Sequence, residues 1–226
     1  MAGVTVIDVC FIDVTAPSEV IEALAGLLAD AERARANRYH FADDRRRSIV
    51  ARAATRQLLG RYLDADPRAL VFVEEEYGKP ALLHRRIEFN ASHSGDLVAL
   101  AFATGTPVGI DVERRRRLND SLALARRYFS TEELAFINAA ADADDAFLTV
   151  WTAKEAIVKA SGKGIATGDL RGFTVPFGEA KMKPVIDGWS VAAIDPPLEG
   201  YFSAVAARAG EACKVISRTI TAAALL

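Results

Sequence analysis

Cysteine is nearly absent: Cys10 and Cys213 are the only two, far apart. They form no metal or redox motif. That excludes a disulfide scaffold and suits two packed thiols in a reducing compartment. Long apolar runs are missing as well. The longest, such as Leu97–Ala103, suit buried strands, against the ~20 residues that span a bilayer. The opening residues carry Asp8 and Asp13 and no basic start before an apolar stretch, so a secretory signal is not expected. A cytoplasmic protein with no membrane partner is expected. Charge of one sign is lacking too. Lys and Arg total 28 and Asp and Glu 30, a net charge of −2, which excludes a cationic nucleic-acid coat. Low-complexity segments and residue-level repeats are absent. What remains is a globular composition, 51% apolar and 26% charged over 226 residues. It is enough for one large domain or two small ones with a real core.

Patterning predicts a strand over 4–14, then helices over 17–28, 30–39 and 43–63. Short strands are expected at 69–74, 87–91 and 97–103, with turns at Tyr77–Pro80 and Ser94–Asp96. Thr104–Pro107 is the best boundary. After it the order repeats: a strand at 108–113, helices at 121–129, 131–140 and 144–161, and strands at 172–176, 185–194, 201–207 and 214–221. A duplication is suggested by element order alone.

Four segments could carry chemistry. In Val108-Gly109-Ile110-Asp111-Val112-Glu113, strand alternation puts Asp111 and Glu113 on one face. Such neighbours repel unless a cation or arginines lie between them. A hard divalent ion, Mg²⁺ above all, answers this. A solvated strand end neutralised by Arg114–Arg117 fits the hexapeptide equally well. In Asp144–Gly164, Phe147, Trp151 and Val158 form an apolar stripe, and Glu155 and Lys159 lie four apart beside it. They make either a half-buried site or an ordinary helical ion pair worth ~0.3–0.5 kcal/mol. Residues 33–56 hold eight arginines opposed only by Asp43 and Asp44, a local +6. They make either a solvated face or a polyanion site. In Glu88–Gly95 a strand is expected to end in a turn carrying Ser92, His93 and Ser94. The nucleophile elbow G-x-S-x-G is absent, and such a turn suits phosphate. Lys79 could serve the same anion. Three carboxylates for a cation, with Arg, Lys, His and Ser for phosphates, describe metal-assisted chemistry on a diphosphate bearing further phosphate.

Val-Gly-Ile-Asp-Val-Glu at 108–113, followed by Trp-Thr-Ala-Lys-Glu-Ala-Ile-Val-Lys-Ala at 151–160, resembles the 4′-phosphopantetheinyl transferase superfamily. The match is closest to its surfactin-synthetase-activating (Sfp-like) branch. Tyr-Gly-Lys-Pro at 77–80, Phe-Asn-Ala-Ser-His-Ser at 89–94 and Tyr-Phe-Ser-Thr-Glu-Glu at 128–133 also look like family segments. The resemblance implies an α+β fold, a pseudo-dimer of two similar α+β halves with the active site in the cleft between them. Residues 1–105 would bind coenzyme A phosphates and 106–226 would carry the metal and catalytic residues.

The resemblance also implies a reaction. The 4′-phosphopantetheine arm of coenzyme A moves to a serine of an acyl, peptidyl or aryl carrier protein, and adenosine 3′,5′-bisphosphate is released. Asp111, Glu113 and Glu155 would hold Mg²⁺, or Mn²⁺. Glu155 would accept the serine proton, and Lys159 would neutralise a phosphate oxygen. Lys79, Ser92 and His93 would grip phosphates, with Arg38 and Arg47 at the 3′-phosphate. Seven residues before Arg38 the family often carries a basic residue; near there this chain has Glu32, then Arg33. The carrier is expected to dock around Ser121–Phe136, on Leu122, Tyr128 and Phe129. A monomer without a nucleic-acid partner is expected. Two other readings are a coenzyme A sensor without transferase activity and a nucleic-acid binder using the arginine helix, which would bind with a steep salt dependence.

Overall fold

β1 (Thr5–Asp13) is the strand on which the first half is built. The computed structural model describes residues 5–84, 86–162, 170–175, 183–184, 188–208 and 213–226. After β1 come α1 (Ser18–Ala25), α2 (Asp30–Ala36) and α3 (Ala42–Leu63), then a 3-10 turn at Pro67–Ala69. A two-stranded hairpin follows, β2 (Phe72–Glu74) with β3 (Pro80–Leu82), then β4 (Glu88–Ser94) and β5 (Leu97–Ala103). The second half has β6 (Val108–Arg114), α4 (Ser121–Tyr128), α5 (Thr131–Ala139) and α6 (Ala143–Ser161), then β7 (Lys183–Pro184), β8 (Ser190–Ala193) and β9 (Tyr201–Ala207). β10 (Cys213–Thr221) ends the sheet structure. The fold is α+β in two halves.

One sheet runs β10-β1-β5-β4 and the other β6-β9-β8-β7. β10 therefore crosses back into the first half's sheet, where it pairs parallel to β1 from Thr5↔Cys213 to Asp13↔Thr221. β10 thus lies after the expected 105/106 division in sequence but in the sheet of β1, β4 and β5. Strand alternation sorts the core. Cys10, Ile12, Val98, Leu100 and Phe102 face α1 and α3. Ile7, Val9, Phe11, Leu97, Ala99 and Ala101 face Val108, Ile110 and Val112 of the second sheet. All seven residues of β5 are buried because both its faces are covered. The second sheet's other face packs on α4–α6 through Phe129, Ile137, Phe147, Leu148 and Ala156.

Two expectations change here. The strand expected at 172–176 is instead a 3-10 turn, Leu170–Gly172, with Phe173–Val175 irregular behind it; Pro176 lies outside the described residues, as do 185–187 of the strand expected at 185–194. β3 was not foreseen: three residues beginning with a proline give almost no strand signal. No helix among the described residues is long and apolar enough to cross a membrane.

Candidate active site at the seam of the two halves

α6 brings the site together. Its first turn is capped by Asp142, whose side chain accepts from the backbone N–H groups of Asp144 and Asp145, and it stops at Gly162 in the left-handed conformation. It lies directly on β6 at Gly109. A Cβ there would come within 2.2 Å of Ala156 O and 2.3 Å of Ala160 N, so only glycine permits the contact. That contact sets Glu155 and Lys159 of α6 beside Asp111 and Glu113 of β6.

Asp111 is buried. Its Oδ1 accepts from Lys159 Nζ at 2.6 Å and from Ser92 Oγ at 2.8 Å. Burial raises its pKa, against the pull of Lys159 and Ser92. Glu113 Oε2 accepts from Ser94 Oγ at 3.0 Å and from Arg116 at 2.7 Å. Glu155 is 3% exposed. Burial pushes its carboxyl up to about 7; Lys159 opposes the rise, and Asp111 and Glu113 add to it. Asp111 Oδ2 and Glu155 Oε1 are buried and accept no hydrogen bond from a described residue. Leaving such an oxygen unsatisfied costs about 1–3 kcal/mol.

β4 supplies the opposite wall, and it is strand throughout 88–94. The turn expected to carry Ser92, His93 and Ser94 therefore begins only at Gly95. Alternation separates the neighbours: Ser92 faces Asp111 and Lys159, while His93 faces away. His93, with Phe89 and Ala91, lines a cleft of about 240 Å³ against α2 and α3. Its pKa is lowered by the crowding around it and then by the charges of Arg47 and Lys159. Lys79 reaches across the seam and donates to the carbonyls of Val108 at 3.1 Å and Ala160 at 3.2 Å. It thereby ties the β2–β3 turn to β6 and α6.

Models of two families match the chain, the 4′-phosphopantetheinyl transferase superfamily over residues 107–186 and 4′-phosphopantetheinyl transferase, N-terminal, over 16–105. The 4′-phosphopantetheinyl transferase HetI of Nostoc sp. is 35% identical over 187 residues, 80% of this chain and 78% of that protein. The chain belongs to the 4′-phosphopantetheinyl transferase superfamily. Its relatives include psf-1 of Bacillus pumilus, 35% identical over 70% of this chain and 68% of that one. Sfp of Bacillus subtilis is 31% identical over 69% and 70%. Both are named 4′-phosphopantetheinyl transferases, and the Sfp-like branch fits. The chain is a transferase of this class.

The transferase's basic segment is less free than its local +6 suggests. Carboxylates inside and outside the segment pair with seven of its eight arginines: Asp30 with Arg33, Glu74 with Arg35, Glu22 with Arg45, Asp43 and Asp96 with Arg46, Asp44 with Arg47, and Glu32 with Arg52 and Arg56. Arg38 is exposed in the turn after α2 and does not line the cleft. Arg47 is held by Asp44 at 2.5 Å and by the Gly95 carbonyl at 3.1 Å, near His93 but outside the cleft wall. Opposite His93 the cleft is lined instead by Arg35, Tyr39, Ser48, Arg52 and Thr55, with the carboxylates of Glu32 and Glu74. Ser48, Ala51, Arg52 and Thr55 follow i, i+3, i+4, i+7 spacing, a readable helix face hidden by the count of arginines.

Sequence reasoning also missed Lys154. It is fully buried, paired with Glu133 at 2.9 Å, and donates to the carbonyls of Leu170 and Phe173. Its place seven after Phe147 and three after Trp151, on the apolar stripe itself, was the available signal. Of the docking surface expected around Ser121–Phe136, the exposure of Leu122, Tyr128 and Phe129 is corrected. Phe129 is buried against Phe147 and Trp151, and Leu122 and Tyr128 are half-buried in the same cluster. Leu124 is the exposed large apolar side chain there.

Proposed function

We propose that this transferase moves the 4′-phosphopantetheine arm of coenzyme A onto a serine hydroxyl of an acyl, peptidyl or aryl carrier protein, with a divalent cation, Mg²⁺ or Mn²⁺, among Asp111, Glu113 and Glu155. The observation that carries this reading is the pair of buried oxygens, Asp111 Oδ2 and Glu155 Oε1, that no described residue satisfies, beside the Lys159 ammonium. Oxygen donors of this kind fit a hard divalent ion. Among the described residues no three His, Cys, Asp or Glu side chains are grouped to hold a metal ion; Lys159 and Ser92 hold one Asp111 oxygen, and Arg116 and Ser94 one Glu113 oxygen.

The carrier serine attacks the β-phosphate of the coenzyme. The phosphorus–oxygen bond to the α-phosphate breaks, and its electrons leave with adenosine 3′,5′-bisphosphate. Glu155, beside the cation and Lys159, is placed to accept the serine proton, directly or through water. Lys159 sets a positive charge where negative charge grows on the diphosphate. A bound cation supplies Lewis acidity and a clamp on the diphosphate oxygens. Arg35 and Arg52 give the cleft guanidinium donors suited to the 3′-phosphate, and His93, held toward its neutral form, offers a hydrogen-bonding ring at the same wall. Arg38 and Arg47 flank this cleft. Lys79 acts from the seam and Ser92 beside Asp111.

The Cys10 and Cys213 thiols are both unpaired, which supports a reducing, cytoplasmic setting. Neutralisation of the arginines supports the absence of a nucleic-acid partner. The deciding experiment incubates the protein with coenzyme A, Mg²⁺ and a panel of apo carrier proteins. One phosphopantetheine mass should be added to a carrier, and the addition should be lost in EDTA and in Asp111→Ala. Coenzyme A binding with no transfer to any carrier would overturn the reading.

A further inference from the structure

β4 and β6 are edge strands of different sheets, and no backbone ladder joins them. Side chains join them instead. The N–H groups of Ile110, Val112 and Arg114 donate to Asn90 Oδ1 at 2.9 Å, Ser92 Oγ at 3.4 Å and Ser94 Oγ at 3.0 Å. The two serines then pass their own protons on, Ser92 to Asp111 Oδ1 at 2.8 Å and Ser94 to Glu113 Oε2 at 3.0 Å. The same unit thus occurs twice, two residues apart on both strands. Each serine accepts from one β6 amide and donates to the carboxylate just before it.

A hydroxyl has one proton and two lone pairs. At Ser92 all three are engaged, by Asp111, by the Val112 amide and by Lys159 Nζ at 3.0 Å. The amide and the ammonium fix the direction in which the proton points. Ser92 has no donor left for a phosphate unless it lets go of Asp111, and it faces away from the cleft that His93 lines. We propose that Ser92 and Ser94 are positioning residues, a hydroxyl comb that holds Asp111 and Glu113 at the orientation and spacing in which they meet a divalent cation. This rests on the cation reading given above. The physical need is clear. Two carboxylates on one strand face repel and would swing apart. A donor fixed on one oxygen of each restrains the group and leaves the other oxygen available, which at Asp111 is the unsatisfied Oδ2. Hydrogen-bond partners behind metal ligands commonly set metal affinity in this way.

The test titrates Mn²⁺ into the full chain with coenzyme A saturating and no carrier, following free Mn²⁺ by electron paramagnetic resonance. Ser92→Ala, Ser94→Ala, Ser94→Thr and Asp111→Ala are compared with the parent. Mn²⁺ affinity should fall roughly 10-fold or more in each alanine variant of the serines. It should return toward the parent value in Ser94→Thr, which keeps the hydroxyl. The coenzyme A KM should stay within about twofold, since the comb faces away from the cleft. Unchanged Mn²⁺ affinity in both serine variants overturns the proposal. If it comes with a raised coenzyme A KM in Ser92→Ala, the hydroxyl belongs to a phosphate contact. If it comes with a lowered Tm, the comb only joins the sheets. A parent protein that binds no Mn²⁺, or Asp111→Ala binding it normally, removes the cation reading itself, a result distinct from normal binding by the serine variants alone.

Discussion

Two lysines five residues apart on α6 meet their carboxylates under opposite conditions. Lys154 lies at 0% exposure against Glu133, also at 0%. Every group around this pair is used: Glu133 Oε1 accepts from the Val175 amide and Oε2 from the Ser130 amide, while Lys154 donates to two carbonyls and sits 4.3 Å from the Phe173 ring centroid. Lys159 is 28% exposed, and Asp111 and Glu155 beside it each keep a buried oxygen without a donor among the described residues. A saturated pair has nothing left to bind and acts as a rivet. An unsaturated pair stores a demand for charge that a ligand can meet. Hydrogen-bond saturation, more than burial, separates the structural lysine from the working one.

The sharpest way to break this comparison is Lys154→Met. It strands a buried Glu133, so unfolding free energy should fall by roughly 3–5 kcal/mol, read from denaturant midpoints, with Lys159→Met costing far less. Equal losses would erase the distinction. The next effect is pH-linked. Glu155 rises from 4.5 to about 7 on folding, so its contribution is fully present below pH 4.5, declines as pH rises and is lost above about 7. In EDTA, Glu155→Gln should therefore stabilise the protein by on the order of 3 kcal/mol at pH 8 and change little at pH 4.5. A pH-independent difference would contradict the buried, unsatisfied carboxyl. In catalysis, Glu155→Gln or Lys159→Ala should lower kcat about 10²-fold or more with folding intact; near-normal turnover in both would remove their roles. The smallest effect concerns the cleft. Arg35→Ala and Arg52→Ala should each raise the coenzyme A KM about 10-fold, the worth of a charged hydrogen bond, and Arg38→Ala and Arg47→Ala should raise it less. The reverse order would move the 3′-phosphate out of the cleft.

The site's carboxylates were legible because period-two and i, i+4 spacing act locally: Asp111 with Glu113, and Glu155 with Lys159, needed only a strand and a helix. The helices of both halves were legible for the same reason. What was not legible depends on partners distant in sequence. The arginine cluster reads as free charge until Glu22, Glu74 and Asp96 fold onto it. Phe129 reads as a surface aromatic beside arginines until Phe147 and Trp151 cover it. Ser92 and His93 read as one phosphate-binding pair while they are placed in a turn, and alternation divides them once the strand extends to Ser94. Gly109 is unremarkable in sequence, and its meaning comes from the helix backbone lying against it.

The pairing of β10 with β1 also governs how the molecule is made. β1 is synthesised long before its parallel neighbour β10, which pairs with it from Thr5↔Cys213 onward, and contacts this distant in sequence slow folding. Until then β1 offers an open strand edge, a template for wrong partners. Cutting the chain at Gly105 should therefore not release a self-sufficient first half. A fragment of residues 1–105 should stay aggregation-prone until a peptide carrying Cys213–Thr221 is supplied to complete the open edge of β1.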